Sequence, residues 1–455
     1  MKKGADDTRA IALEILLSWE KGLKEGSGIG SCRPDGDGDI HKAYQKASDI
    51  IGGALAKYGW MEKRDRGFIK NIAEGTIERL LTLDYVIDRF SRIKAAKLKP
   101  IIRMIIRMGA YQLLFLPDIP KAAVCNEAVK LAKHKHFDGL SGYVNGVLRS
   151  IGRSNIGIDS IEELPYRYSM PEWIVDRLLK TFGQEKTVDI LKASLGRRPL
   201  FIRVNVTRTD RERLMERLIP EGAEALIPDC SSLQIDLPFA LELKTAESPG
   251  ALPSFREGLF SVQDLSSMAV GALASPKEGE RVLDLCAAPG GKACHIAELL
   301  SNSGYVEARD ISPARAESIS ENKERLGLEN IRVEISDALE EPRGTEEKFD
   351  IVLADLPCSG LGVMGRRNDL KYRVKPEDIP SLQALQRKIL QNALRYLKAG
   401  GRLVYSVCTI TEEETVEQSR WIEENLRLHR DTERLFLPEA GGMDGFYVAV
   451  FKAYK

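Results

Sequence analysis

The stretch from Val282 to Ile296, Val-Leu-Asp-Leu-Cys-Ala-Ala-Pro-Gly-Gly-Lys-Ala-Cys-His-Ile, constrains this chain more than any other. Val282, Leu283 and Leu285 read as a buried strand, Ala-Ala-Pro-Gly-Gly forbids regular structure, and helical spacing resumes from Lys292 to Leu300. Strand, glycine-bearing turn and helix open a doubly wound α/β domain, in which a ligand sits at the carboxyl ends of the strands. Gly290 and Gly291 let the backbone approach such a ligand, because neither carries a Cβ. The turn matches neither the dinucleotide fingerprint Gly-x-Gly-x-x-Gly nor a P-loop.

The sheet can be followed onward. A second strand, Gly304 to Asp310, ends in an acid nineteen residues after Gly291, close to the roughly 20-residue spacing at which an acid meets ribose hydroxyls. Ser312 and Pro313 then cap and start a helix that ends near Gly327. The third strand, Ile331 to Ile335, leads to Asp337, which reads either as a loop cap or as an acceptor for an adenine amino group. The fourth, Phe349 to Asp355, runs into Leu356-Pro357-Cys358, and the fifth, Gly401 to Val407, runs into Cys408. Adjacent strands lie about 4.8 Å apart, so Cys358 and Cys408 face one crevice beside Asp355 and the glycine turn. A buried cysteine is ordinarily an inert small hydrophobe. Two at neighbouring strand ends, one behind Asp-x-Pro, point to chemistry.

That chemistry suits a pyrimidine. Thiolate addition at carbon 6 breaks the aromaticity and makes carbon 5 an enamine-like nucleophile able to take a methyl group. A carboxylic acid hydrogen-bonded to the ring nitrogen stabilises the adduct, and nearby positive charge such as Lys292 helps a thiol ionise. Cys408, Cys358, Asp355 and Lys292 form the candidate catalytic set. The target base must leave its stack, at a cost of a few kcal/mol.

At 455 residues the chain exceeds one core, and texture divides it at 1–155, 156–258 and 259–455. The first part reads as all-helical, with Ile11, Ala12, Ile15, Leu16 and Trp19 on one face, a polar loop from Gly22 to Asp39, and a basic run (Arg92, Lys94, Lys97, Lys99, Arg103, Arg107) without an acid. That run is either a solvated face or a phosphate-binding one, and Lys133 to His136 add to it. The middle part reads as α+β: a helix from Pro171, strands at Leu200 to Val206, Ala225 to Ile227 and Leu233 to Leu237, and a helix from Asp210 to Leu218. It is a spacer or a grip on substrate. Gly365 to Lys375 carries five basic residues and one acid, and reads as a solvated loop or as a receiver of RNA phosphate with Tyr372 free to stack. The formal charge is +0, so partners must be read from such patches. No apolar run reaches 18 residues and no signal core opens the chain. Seven cysteines without a Cys-x-x-Cys pair argue against a disulfide framework and a zinc site. A soluble, cytoplasmic, monomeric protein without metal is expected.

Arg64-Asp-Arg-Gly-Phe, Gly75-Thr-Ile-Glu-Arg, Arg107-Met-Gly-Ala-Tyr-Gln-Leu-Leu-Phe-Leu and Gly142-Tyr-Val-Asn-Gly-Val-Leu-Arg resemble the NusB family of RNA-binding helical bundles. Asp284-Leu-Cys-Ala-Ala-Pro-Gly-Gly-Lys, Asp355-Leu-Pro-Cys-Ser-Gly-Leu-Gly, Tyr405-Ser-Val-Cys-Thr and Gly442-Met-Asp-Gly-Phe resemble the S-adenosylmethionine-dependent RNA cytosine-5 methyltransferases. Together they make the whole chain similar to the small-subunit ribosomal RNA branch, the Sun/Fmu/RsmB family. The resemblance implies an all-α NusB-like bundle, a small α+β linker domain and a doubly wound, Rossmann-like methyltransferase domain. It implies S-adenosyl-L-methionine as cofactor and small-subunit ribosomal RNA as partner. Cys286, Ala287, Ala288, Pro289, Gly290, Gly291, Lys292, Asp310, Arg315, Asp337 and Asp355 would hold the cofactor. Cys408 would be the nucleophile and Cys358 would assist release. Val407 departs from the family, which more often has threonine there. Transfer RNA or large-subunit RNA are alternative substrates. A non-catalytic antitermination-like protein would leave the cysteine pair idle, and a small-molecule methyltransferase would leave the first 260 residues unexplained.

Overall fold

Apolar residues three and four apart shape the N-terminal part of the chain. The computed structural model describes residues 5–25, 46–154, 156–196, 198–245, 248–301, 303–340, 348–438 and 442–454. They fall into two units, one of residues up to 195 with 364–376, the other of 196–363 with 377–455. Helices of the first unit include Ala5–Glu25, Ala47–Ala56, Lys63–Glu78, Leu80–Phe90, Pro100–Phe115, Lys121–His134 and Ser141–Arg153. Ile11, Ala12, Ile15, Leu16 and Trp19 enter one core with Ile69, Leu83, Ile105 and Val144. The first helix continues through Gly22 to Glu25, where the sequence suggests a loop. The remainder of that loop, with Cys32, lies outside the described residues.

The basic run does not form one face. Arg103 and Arg107 sit on the buried helix Pro100–Phe115 and are only 7% and 6% exposed. Charges withdrawn from water need partners, and these have them. Arg103 donates to Glu20 at 2.7 Å, and Arg107 grips Asp84 through two bonds of 2.7 and 2.6 Å while also reaching Glu20 at 3.1 Å. The phosphate-binding reading therefore loses both arginines, although Arg92, Lys94, Lys97 and Lys99 are exposed.

Residues 364–376 also belong to the first unit. Lys371, 1% exposed, donates to the Glu78 carbonyl at 2.9 Å, and the Tyr372 hydroxyl donates to the same oxygen at 3.2 Å. Glu78 is the last residue of its helix, so its carbonyl has no partner within the helix. Asp369 accepts from the Ala47 amide at 3.0 Å, and the Tyr372 ring lies edge-on to Trp19 at 6.3 Å. The expectation of a Tyr372 free to stack on a base is thus overturned, because it is spent on holding this segment. Arg366, Arg367 and Lys375 are exposed.

The second unit contains two sheets. The smaller is antiparallel, of β1 (Phe201–Val204), β2 (Ala223–Leu226), β3 (Ala240–Thr245) and β4 (Phe260–Val262), in the order β2-β3-β1-β4. Leu233 to Leu237 is not a strand; Ser231–Leu233 is a short 3-10 turn, and the pairing segment is β3. The segment read as a middle domain thus serves both units, its helix Glu172–Ala193 in the first and its strands in the second.

The larger sheet holds β5 (Arg281–Asp284), β6 (Tyr305–Asp310), β7 (Ile331–Ile335), β8 (Phe349–Asp355), β9 (Leu397–Val407), β10 (Leu428–Phe436) and β11 (Phe446–Ala453), in the order β10-β11-β9-β8-β5-β6-β7. From β5 to β9 neighbours run parallel, and β10 and β11 add antiparallel strands that sequence reading did not identify. Side chains alternate across it: Val282, Ile351 and Leu353 face a core shared with Phe201 and Ile296, while Leu283, Val352 and Ala354 face one with Ile389 and Ile422. The chain leaves β5 for β6 and β7, then returns to β8 on the other side. Such a reversal opens a crevice at the carboxyl ends of β5 and β8.

Replacing Arg107 with alanine should strand Asp84 and part of the Glu20 charge, costing about 3–5 kcal/mol. Thermal unfolding checks this. A weakened RNA affinity at unchanged melting temperature would return Arg107 to the surface role.

Candidate active site

β5 ends at Asp284, and the turn that follows carries the cofactor candidates. Gly290 has φ +98°, a left-handed conformation that favours glycine. A Cβ at Gly290 would stand 3.2 Å from Ile319, whereas one at Gly291 would meet no protein atom within 4 Å. The two glycines therefore differ: Gly290 is needed for backbone shape, and Gly291 leaves the helix start open. Buried Arg203 of β1 donates to the Gly291 carbonyl at 2.9 Å and to Glu298 at 2.7 Å, a support that sequence reading missed.

Asp310, 2% exposed at the end of β6, organises the turn from the side. Its carboxylate accepts from the Ala288 amide at 3.3 Å and the Ser312 amide at 3.1 Å, and pairs with Arg315 at 3.3 Å. Arg315 in turn donates to the Ala288 carbonyl at 3.1 Å. Ser312 holds the cap position of the helix Pro313–Leu326, yet its side chain makes no capping bond. Asp337 accepts from the Leu339 amide at 2.9 Å, the local loop-capping arrangement. Burial, then the carboxylates of Asp284, Asp310 and Asp355, push the Cys286 thiol far up, so it stays protonated.

Lys292, from the first turn of the helix Gly291–Leu299, reaches across to β8 and pairs with Asp355 at 2.7 Å. The other Asp355 oxygen accepts from Ser406 of β9 at 2.8 Å. Burial opposes the Lys292 charge, but Asp355 overcomes it and holds the ammonium above its ordinary range, with Cys408 contributing. Cys358 and Cys408 follow β8 and β9, whose last residues pair as Asp355 with Ser406. Their Sγ atoms are 3.3 Å apart. The hydrogen bond with Cys408, then burial, pushes the Cys358 thiol well up. Gly362 seals the two loops. It donates to the Cys408 carbonyl at 3.1 Å and accepts from the Gly445 amide at 2.9 Å, and a Cβ there would stand 2.0 Å from the Gly445 oxygen.

Asp284 belongs with these residues, though spacing alone did not single it out. It is 1% exposed, and Oδ2 has no hydrogen-bond partner among the described residues. Burial, then the Asp355 charge, raises its carboxyl to about 7. A buried oxygen of this kind needs a donor, and a cofactor ammonium would supply one. The residues present therefore fit a cationic methyl donor.

A doubly wound sheet with acids at its reversal point fits an S-adenosylmethionine-dependent methyltransferase, the class to which the matching family belongs. Residues 6–153 match the NusB family, 170–241 a ferredoxin-like domain of RsmF/B-like methyltransferases, and 271–452 the family described as 16S rRNA methyltransferase RsmB/F. The chain is 35% identical to a probable ribosomal RNA small subunit methyltransferase B of Bacillus subtilis, covering 98% of both chains. The ribosomal RNA small subunit methyltransferase B of Proteus mirabilis is 32% identical, over 85% of this chain and 90% of that one. The chain belongs to the ribosomal RNA small subunit methyltransferase B family. Its fold is also that of the crystal structure of PH0851, at a TM-score of 0.75 and 24% identity over 96% of this chain and 98% of that one. NSun6 from Pyrococcus horikoshii, solved with SFG, matches 64% of this chain and 100% of its own at a TM-score of 0.56 and 24% identity. Among the described residues no helix is long and apolar enough to cross a membrane, and no group of three metal-ligating side chains occurs.

Asp284→Asn should weaken S-adenosylmethionine binding by roughly 1–3 kcal/mol, the scale of a lost bond to a charged group, measured by calorimetry. It should also change the stability profile. Between the ordinary carboxylate range and about pH 7, the folded protein holds a proton on Asp284 that the unfolded chain has lost. Stability therefore falls as pH rises through that window, and the asparagine variant should lack this component when melting temperature is followed against pH.

Proposed function

We propose that this chain methylates carbon 5 of a cytosine in small-subunit ribosomal RNA, with Cys408 as a covalent nucleophile. The 3.3 Å contact between Cys358 and Cys408, beside the Lys292–Asp355 pair, carries the reading. When one of two thiols so close ionises, the other keeps its proton and donates. That proton is assigned to Cys358, whose thiol the hydrogen bond with Cys408 and burial push well up. Cys408, with the Lys292 ammonium in its field, bears the charge.

The Cys408 thiolate adds to carbon 6 of the ring, and the electrons of the 5,6 double bond move to carbon 5 and the ring nitrogen. The Lys292–Asp355 pair donates a hydrogen bond to that nitrogen and offsets the charge, keeping its proton throughout. When bound, S-adenosylmethionine supplies the electrophilic methyl group that carbon 5 takes. Asp284, Asp310, Asp337, Arg315 and the turn from Cys286 to Gly291 hold and orient it.

Release follows from the same pair of thiols. Once Cys408 is bonded to carbon 6 it is a neutral thioether, a much weaker acceptor than the thiolate to which Cys358 had donated. Cys358 can then lose its proton to solvent and take the proton from carbon 5. The double bond re-forms, the sulfur–carbon 6 bond breaks, and Cys408 leaves as the thiolate with Cys358 again a thiol. The relatives named for small-subunit ribosomal RNA support that substrate over transfer RNA or large-subunit RNA.

Cys408→Ala should abolish methylation and any covalent protein–RNA adduct. Cys358→Ala should still attack and methylate, yet leave an adduct that survives a denaturing gel. An adduct from Cys408→Ala and none from Cys358→Ala would transfer the nucleophile's role to Cys358. Bisulfite sequencing of ribosomal RNA from cells with and without the protein tests the substrate, and unchanged small-subunit RNA would exclude it.

A further inference from the structure

We infer that Glu414 is a positioning residue for Cys358, acting on release of product and not on the attack by Cys408; this rests on the functions proposed above for the two cysteines. Glu414 lies outside every segment singled out from the sequence. Its side chain is 0% exposed and touches neither thiol among the described contacts, yet it is fully engaged. Oε1 accepts from the Ser359 amide at 3.0 Å and from Gln386 Nε2 at 3.0 Å, and Oε2 accepts from the Thr411 hydroxyl at 2.8 Å. Gln386 Nε2 also donates to the Pro357 carbonyl at 2.9 Å. Both peptide groups that flank Cys358 are therefore held from one centre: the carbonyl before it by Gln386, and the amide after it by Glu414.

The same centre links the two cysteine loops. Thr411 belongs to the loop that follows Cys408, and the Ser359 and Thr409 hydroxyls meet at 2.7 Å. The Tyr405 hydroxyl of β9 donates to the Glu414 carbonyl at 2.7 Å and to Gln386 Oε1 at 3.2 Å. Burying an ionisable carboxyl here is unfavourable, and burial does raise its pKa. Its three donors offset much of that. Cys408 is held differently, by β9 itself and by the Gly362 amide on its carbonyl. Loosening Glu414 thus frees the Pro357-Cys358-Ser359 turn while the strand keeps Cys408 in place.

The test is a kinetic split in Glu414→Gln, which preserves volume but replaces a charged acceptor by a neutral one. Full-length enzyme is mixed with substrate RNA and S-adenosylmethionine, and adduct formation and adduct decay are followed separately on denaturing gels, with Cys358→Ala and Cys408→Ala alongside. Adduct formation should stay near the wild-type rate, and decay should slow roughly tenfold or more, the factor that a lost bond to a charged acceptor can produce. Formation and decay falling together, or decay unchanged, would overturn the inference. If Cys358→Ala itself accumulates no adduct, the roles given to the cysteines fail first. If it does and Glu414→Gln does not, only the positioning role fails. Should Glu414→Gln not fold, Gln386→Met removes the Pro357 link while keeping the bulk, and the same split is expected of it.

Discussion

The Lys292–Asp355 ion pair joins three pieces of chain that the sequence keeps far apart. Lys292 starts the helix after β5, Asp355 ends β8, and Ser406, the second partner of Asp355, belongs to β9. Buried pairs contribute little net stability, because desolvation offsets the attraction, yet losing one member is costly. The pair therefore acts mainly on geometry. It ties the start of that helix to the ends of β8 and β9 and brings a positive charge close to Cys408.

The surrounding charge balance follows. Asp284, Asp310 and Asp355 crowd together, and burial, followed by the neighbouring carboxylate charges, raises the Asp284 carboxyl and the Cys286 thiol. One lysine and one partly exposed arginine do not neutralise them all. Such a pocket favours a ligand bearing positive charge, and S-adenosylmethionine carries a sulfonium and an ammonium. Of the two thiols, Cys408 is the one that interacts with the Lys292 charge, and positive charge favours ionisation.

Much of this was legible from local pattern. The strand–turn–helix at Val282, the acids at strand ends and the two cysteines after β8 and β9 all follow from short-range spacing, because a parallel sheet places every carboxyl end on one edge. The errors share a cause. Arg103, Arg107 and Tyr372 look like surface residues because their types prefer water, and nothing nearby in sequence reveals Glu20, Asp84, Trp19 or Glu78 as their partners. Leu233 to Leu237 reads as a strand from its apolar residues, but pairing with β1 selected Ala240–Thr245. Strand β10 escaped notice because it carries many charges and is covered on only part of its length.

By itself, the sequence determined the parallel strands of the doubly wound sheet and the glycine turn, acids and cysteines at their carboxyl ends, since strand and helix periods and glycine turns are local properties of the chain. Only the tertiary structure decided that the two thiols meet, which arginines are buried, and that Glu414 and Gln386 brace the turn around Cys358. Those outcomes depend on distances of about 3 Å between residues tens to hundreds of positions apart, and on burial, which strengthens each such interaction by excluding water.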